Sequence, residues 1–264
     1  MQANYNNIHY SKVGTGPHLC FLHGFCEDSR IWQPVVDELK DTFTCTTINL
    51  PGFGASKGIR FTSIPQVASQ IHELLQAENI TNPILFGHSL GGYILAEYMH
   101  QYDHCLRAAG FIHSSTYCDT PSKKENRSKT ASFIRSHGTK EFFRLFVSSL
   151  VAIQHRSVLR ESLYAMVTST PTQSVIDGLL AMQQREDRSE VLTSFDKPIL
   201  MLHGAEDDYY APDVVCRQAA LCQAVQLDIL PNIGHLSMLE DQKKYLTKVR
   251  HFIRFVEGIE TPLT

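Results

Sequence analysis

Short apolar runs alternate along this chain with longer stretches in which apolar side chains return every three or four positions. The runs Ile8–Val13, Leu19–Leu22, Thr44–Asn49, Pro83–Phe86, Ala108–His113, Pro198–Leu202 and Val225–Leu230 read as strands. Between them Ile64, Val67, Ala68, Ile71, Leu74 and Leu75 fall on one face of a helix, with Ser63 and Gln66 placed as a capping box. A second helix is predicted from Gly92 to about His100. A third runs from about Gln242 to Glu257, with Tyr245, Leu246, Val249, Phe252, Ile253 and Val256 as its buried stripe. Such alternation predicts an α/β fold with a mostly parallel central sheet and helices on both faces.

The rhythm breaks between about Tyr117 and Leu192, where only helical patterns occur. A charged entry around Lys123 to Lys129 leads to Phe142, Phe143, Leu145, Phe146 and Leu150, then to Leu159, Leu163 and Met166, then to Val175 through Met182. Most of these apolar residues should pack against the remainder of the chain, and a minority should line an apolar pocket.

Composition narrows the function. A chain of 264 residues suffices for one large α/β domain or for a core carrying an insertion. Its formal charge of -3 offers no basic stripe for a phosphate backbone, so nucleic acid is not an expected partner. Lys123, Lys124, Arg127 and Lys129 read as a solvated loop and helix face. The first ten residues are polar and no later apolar run approaches the roughly 18 residues of a membrane span, so no membrane association is expected. The 7 cysteines include no Cys-x-x-Cys pair, which fits reduced thiols in a cytoplasmic protein. His100 and His104 have a spacing that can place two ligands on one helix face, but they read as surface residues near a helix C-terminus.

The candidate chemistry begins at Gly87-His88-Ser89-Leu90-Gly91, which lies between the run ending at Phe86 and the helical pattern opening at Gly92. A Gly-x-Ser-x-Gly turn at a strand-to-helix junction can hold a serine clear of the chain, where a histidine can remove its proton. The same residues also suit a plain turn whose serine caps the next helix. A serine nucleophile further needs a base, an orienting acid and donors for an oxyanion. Candidates follow other strands: Leu22-His23-Gly24-Phe25, Gly204-Ala205-Glu206-Asp207 and Asn232-Ile233-Gly234-His235.

With these residues in the order Ser89, Asp207, His235, the chain resembles the α/β-hydrolase fold family along nearly its whole length. The resemblance implies Ser89 as nucleophile, His235 as base and Asp207 as orienting acid. The family spacing Gly-x-x-Asp counted from Gly204 favours Asp207, and adjacency leaves Asp208 as its rival. The oxyanion donors would be the backbone N–H groups of Leu90 and, by resemblance, Phe25. His23 would hold its loop, His88 would pack or tune specificity, and Cys26 would pack as a buried thiol. Residues 117–192 would form a helical cap inserted into a core of residues 1–116 and 193–264. Arg185 and Asp187 look like a cap element of esterase-like and lactonase-like members, and an ion pair between them explains them equally well. Asn49 stands where the family usually has Asp, which removes a charge from that loop.

The resemblance therefore implies a serine hydrolase that cleaves a small ester, thioester or lactone through an acyl-enzyme, with no cofactor and no metal. Its partner would be a small-molecule substrate with an apolar part, and a homodimer is compatible with the pattern. Serine at position 89 argues against branches that use aspartate there. The same triad serves carbon-carbon bond hydrolases, cofactor-free perhydrolases and hydroxynitrile lyases, and a hydrolase-fold ligand receptor with little turnover is a further alternative.

Overall fold

A computed structural model describes residues 2–258. Its strands are β1 (Gln2–Tyr5), β2 (Ile8–Val13), β3 (His18–Leu22), β4 (Thr44–Ile48), β5 (Ile84–His88), β6 (Ala108–Ile112), β7 (Ile199–Gly204) and β8 (Val225–Leu230). The helices are α1 (Gln33–Leu39), α2 (Ile64–Ala77), α3 (Leu90–Tyr102), α4 (Pro121–His137), α5 (Lys140–Ser149), α6 (Arg156–Val167), α7 (Thr172–Gln184), α8 (Glu190–Ser194), α9 (Pro212–Ala219), α10 (Ser237–Glu240) and α11 (Gln242–Glu257). The strands form one sheet in the order β1-β2-β4-β3-β5-β6-β7-β8, parallel from β4 to β8, with the hairpin β1-β2 antiparallel at one edge.

Helices cover both faces of this sheet, and the central strands β4, β5 and β6 are buried along their whole length. Parallel strands sandwiched in this way read as apolar runs rather than as alternations. The helix expected after Ser63 starts there, and Ser63 Oγ accepts the Gln66 N–H at 3.3 Å. In α11, Tyr245, Leu246, Val249, Phe252 and Ile253 are buried as expected, while Val256 is only partly buried.

The strand β1 was not legible. It is polar and half exposed at the sheet edge, and the turn that folds it onto β2 uses Asn6 and Asn7 at φ 48 and 65. Two left-handed residues give the hairpin the twist its strands require.

Five helices, α4 to α8, lie between β6 and β7; α4 packs on α7 and α5 on α6. The charged entry expected around Lys123 is the first half of the 17-residue α4, capped by Thr120, whose side chain accepts the Lys123 N–H. Among the described residues, no helix is long and apolar enough to cross a membrane.

Candidate active site

The strand β5 runs directly into Ser89, and α3 begins one residue later. Ser89 has φ 48 and ψ -111, a conformation that L-residues rarely adopt and that costs about 1–3 kcal/mol unless its surroundings impose it. The imposing contacts are a hydrogen bond from the Ser89 N–H to the Ile112 carbonyl at 3.0 Å and one from Ser114 Oγ to the Ser89 carbonyl at 2.7 Å. The flanking glycines are required by space. A Cβ on Gly87 would lie 2.4 Å from the Gly91 carbonyl oxygen, and one on Gly91 would lie 2.4 Å from that of Leu22. Ser89 sits at the N-cap position of α3 yet makes no side-chain cap bond. Its hydroxyl accepts no bond from the first turn of the helix.

Ser89, Phe25 and His235 line one cavity of ≈ 430 Å³, whose walls come from the core and from α4, α5 and α7. Leu90, as the first residue of α3, carries one of the N–H groups that a helix leaves without an internal acceptor. The Phe25 N–H enters no hydrogen bond with another group among the described residues. The Phe25 ring meets Phe53, Phe142 and Phe146 edge-on at centroid distances of 6.0, 6.3 and 5.8 Å, which gives the cavity an aromatic wall.

His235 is buried on the loop after β8, and its Nδ1 lies 2.7 Å from Asp207 Oδ2. A proton on Nδ1 donated to that carboxylate leaves Nε2 unprotonated, the tautomer a general base needs. The structure brings Asp207 to this imidazole and leaves Asp208 exposed on the cavity wall. Burial opposes ionisation of Asp207, but the charge of His235 and hydrogen bonds from His113 and His235 outweigh it. The carboxyl is thereby held far below its ordinary range. The Tyr209 N–H donates to its other oxygen at 2.8 Å.

Sequence reasoning missed His113 and Glu27. His113 follows β6 at φ 48, with Nδ1 3.2 Å from Asp207 Oδ2 and Nε2 2.7 Å from Ser237 Oγ. Burial pushes its pKa down to about 3 against the pull of Asp207, so the ring is neutral. The signal was a polar residue ending an apolar strand beside two other such ends. His113, Asp207 and His235 offer ligand atoms within 4.8 Å of one another, a spacing a cation could use. The hydrogen bonds among them already account for the arrangement.

Glu27 is buried and accepts from the Gly24 N–H at 2.8 Å and from His88 Nδ1 at 2.9 Å. His88 Nε2 donates to the His235 carbonyl at 2.8 Å, so both of its ring nitrogens act as donors. Burial disfavours the His88 cation, yet Glu27 raises its pKa above the ordinary value; burial likewise opposes ionised Glu27, and His88 lowers it. The contribution of His88 is therefore fully present below about pH 6.5 and is lost as pH rises through its folded value. Glu27→Gln should destabilise the fold by on the order of 3 kcal/mol at neutral pH, because a buried pair loses one partner. Urea midpoints measured from about pH 6 upward should fall in the parent and stay flatter in the variant. Parallel slopes would show that the pair carries no charge.

His23 ties two loops. Its Nδ1 donates to the Gly24 carbonyl at 2.8 Å, and its Nε2 accepts the Leu50 N–H at 2.9 Å. Asn49 Oδ1 accepts the Ser29 N–H at 3.1 Å, so the loop keeps its acceptor without a charge. Glu240 ties two more: its carboxylate accepts from the N–H groups of Gly234 at 3.0 Å, Leu236 at 2.9 Å and Ala152 at 2.8 Å. The His235 N–H in turn donates to the Leu150 carbonyl at 3.0 Å.

Two expectations are corrected. Arg127 does not belong to a solvated face; it pairs with the buried Asp119 and lines the cavity. Its place on the inward side of α4 cannot be read from a charge run. Arg185 does not pair with Asp187 either. Its Nη1 lies 2.9 Å from Asp119 Oδ1 and its guanidinium stacks on Tyr93 at 3.9 Å, while Asp187 accepts from the Ser189 N–H and hydroxyl.

A family profile described as alpha/beta hydrolase fold matches residues 17–242. A 2-succinyl-6-hydroxy-2,4-cyclohexadiene-1-carboxylate synthase from Enterobacter sp. (strain 638) is 28% identical over 232 residues, covering 83% of this chain and 84% of that protein. A pimeloyl-[acyl-carrier protein] methyl ester esterase from Nitrosomonas europaea is 24% identical over 257 residues, covering 91% and 97%. The solved structure of a thermophilic esterase from Thermogutta terrifontis, with malate bound, superposes with a TM-score of 0.89 at 25% identity and covers 94% of each chain.

Proposed function

The chain belongs to the α/β-hydrolase fold family as an enzyme of the carboxylic ester hydrolase type, and on that premise we propose that it cleaves a small ester, thioester or lactone through an acyl-enzyme. The observation that carries this reading is the cavity shared by Ser89, at φ 48 in its turn, and His235, hydrogen-bonded at 2.7 Å to Asp207. In this mechanism His235 Nε2 takes the hydroxyl proton as Ser89 Oγ attacks the substrate carbonyl. The N–H groups of Leu90 and Phe25 stabilise the oxyanion, and Asp207 stabilises the imidazolium. Collapse of the tetrahedral adduct passes the proton to the leaving alcohol. Water, deprotonated by the same imidazole, then frees the acid and restores Ser89.

The helices α4 to α8 act as a cap over residues 1–116 and 193–264, and their side chains select the acyl or alcohol part. A panel of p-nitrophenyl esters of rising acyl length tests the reading, with EDTA in a parallel arm. Turnover indifferent to EDTA is expected. Binding of these esters without turnover would point to a ligand receptor, and activity lost to EDTA and restored by a divalent metal would point to a cation at His113, Asp207 and His235.

A further inference from the structure

Two neighbouring cap helices present opposite chemistry to the same cavity. From α5 come Phe142, Leu145 and Phe146; from α4 come Lys123, Asn126, Arg127 and Thr130, which fall on one face of a helix at the spacing i, i+3, i+4, i+7. The polar stripe is more than a solvated surface. Arg127 uses Nε and Nη2 on Asp119, and among the described residues its Nη1 reaches only the Met182 thioether, at 3.4 Å. A thioether is a weak acceptor for a charged donor. Lys123 lies over the Tyr210 ring at 4.8 Å and donates to the Tyr209 carbonyl at 3.2 Å. Behind Tyr93 lies Arg185, whose Nε is buried without a partner among the described residues.

Charge does not balance here. Arg127 and Arg185 share a single buried carboxylate, that of Asp119, and Lys123 adds a third positive charge beside Tyr210, while Asp208 is exposed on the cavity wall and Glu27 is met by His88. The hydroxyls of Tyr93 and Tyr210 touch one another at the same end, and each can donate. Tyr93 stands four residues, just over one turn, along α3 from Ser89, about 6 Å away along the helix axis. We infer that this end of the cavity binds a carboxylate of the substrate, so that the ester cleaved at Ser89 carries a free carboxylate a few bonds from the scissile carbonyl and an apolar stem against Phe142 and Phe146. The inference rests on the serine hydrolase reading above and names the substrate class for that site. A carboxylate would supply the strong acceptor that Arg127 Nη1 lacks and offset the excess positive charge in a partly dry site.

The carboxylate can belong to the acyl or to the alcohol part, and two matched pairs of esters separate these sources. Monomethyl adipate is compared with dimethyl adipate for the acyl side, and the acetyl ester of 4-hydroxybutyrate with its methyl ester for the alcohol side. In one pair the charged ester should exceed the neutral one in kcat/KM by at least about tenfold. That ratio should fall toward one in Lys123→Gln and in Arg127→Gln. Because Arg127 also holds Asp119, its variant can misfold; Lys123 is exposed and carries the test alone. Labelling of Ser89 by a neutral fluorophosphonate is measured on every variant as a readout of the folded, reactive serine. An unlabelled parent would overturn the hydrolase reading itself. A labelled parent that prefers neither charged ester, or a preference that survives in every variant that still labels, overturns the carboxylate subsite.

Discussion

Ser89→Ala should lower kcat/KM on any substrate ester by about 10⁶ and leave the fold intact. The size follows from the role: without Oγ there is no acyl-enzyme, and the oxyanion donors and binding contacts alone supply what remains. The fold should survive because alanine keeps the Cβ and adds no atom to a crowded turn. No hydrogen bond to Ser89 Oγ occurs among the described residues, so nothing structural is lost with it. Mass spectrometry after a fluorophosphonate should find one adduct at Ser89 in the parent and none in the variant, with melting temperatures within a few degrees. Equal labelling of the alanine variant would exclude Ser89 as nucleophile.

Asp207→Asn should cost about 10⁴ in kcat, and Asp208→Asn no more than roughly tenfold. Asp207 Oδ2 holds the proton side of His235, and an amide nitrogen placed there would favour the tautomer that cannot accept the Ser89 proton. His113 donates to the same oxygen, so the substitution also leaves a buried donor facing an amide. Asp208 has no such partner in the site. The pair of variants separates on a second axis as well. Because the folded pKa of Asp207 is depressed, its contribution to stability is present above the unfolded value of about 3.9 and is lost as pH falls through the folded one. Acid denaturation of Asp207→Asn should therefore be shallower than that of the parent, while Asp208→Asn should follow the parent. A crippled Asp208→Asn beside an active Asp207→Asn would reassign the acid.

Much of this was readable in the chain because parallel strands buried on both faces become uninterrupted apolar runs. The run from Ala108 to His113 covers β6, and that from Leu19 to Leu22 covers all but the first residue of β3, both in the parallel part of the sheet. The strand β1 left no such trace, since an edge strand that faces solvent needs no apolar side chains. Ser89, Asp207 and His235 were legible because each ends or follows a strand in a short glycine-bearing loop. Glu27, His113 and Arg127 were not, because their partners lie 61, 94 and 8 residues away, at a strand end or in loops, and Arg127 sits on a helix whose facing the charges around it disguise. Local spacing reports which way a strand points. It does not report which buried charge a distant loop will meet.

The carboxylate of Glu240 accepts from Gly234 and Leu236 on the histidine loop and from Ala152 between α5 and α6, and the His235 N–H reaches the Leu150 carbonyl. On the proposed reading, in which α4 to α8 select the substrate, selectivity and reactivity are not separable units of inheritance in this chain. A chimaera that borrowed a foreign cap would keep the imidazole in register only if the graft matched the backbone at residues 150–152. The permissive splice points are those that leave 150–152 and 232–240 together as co-inherited blocks.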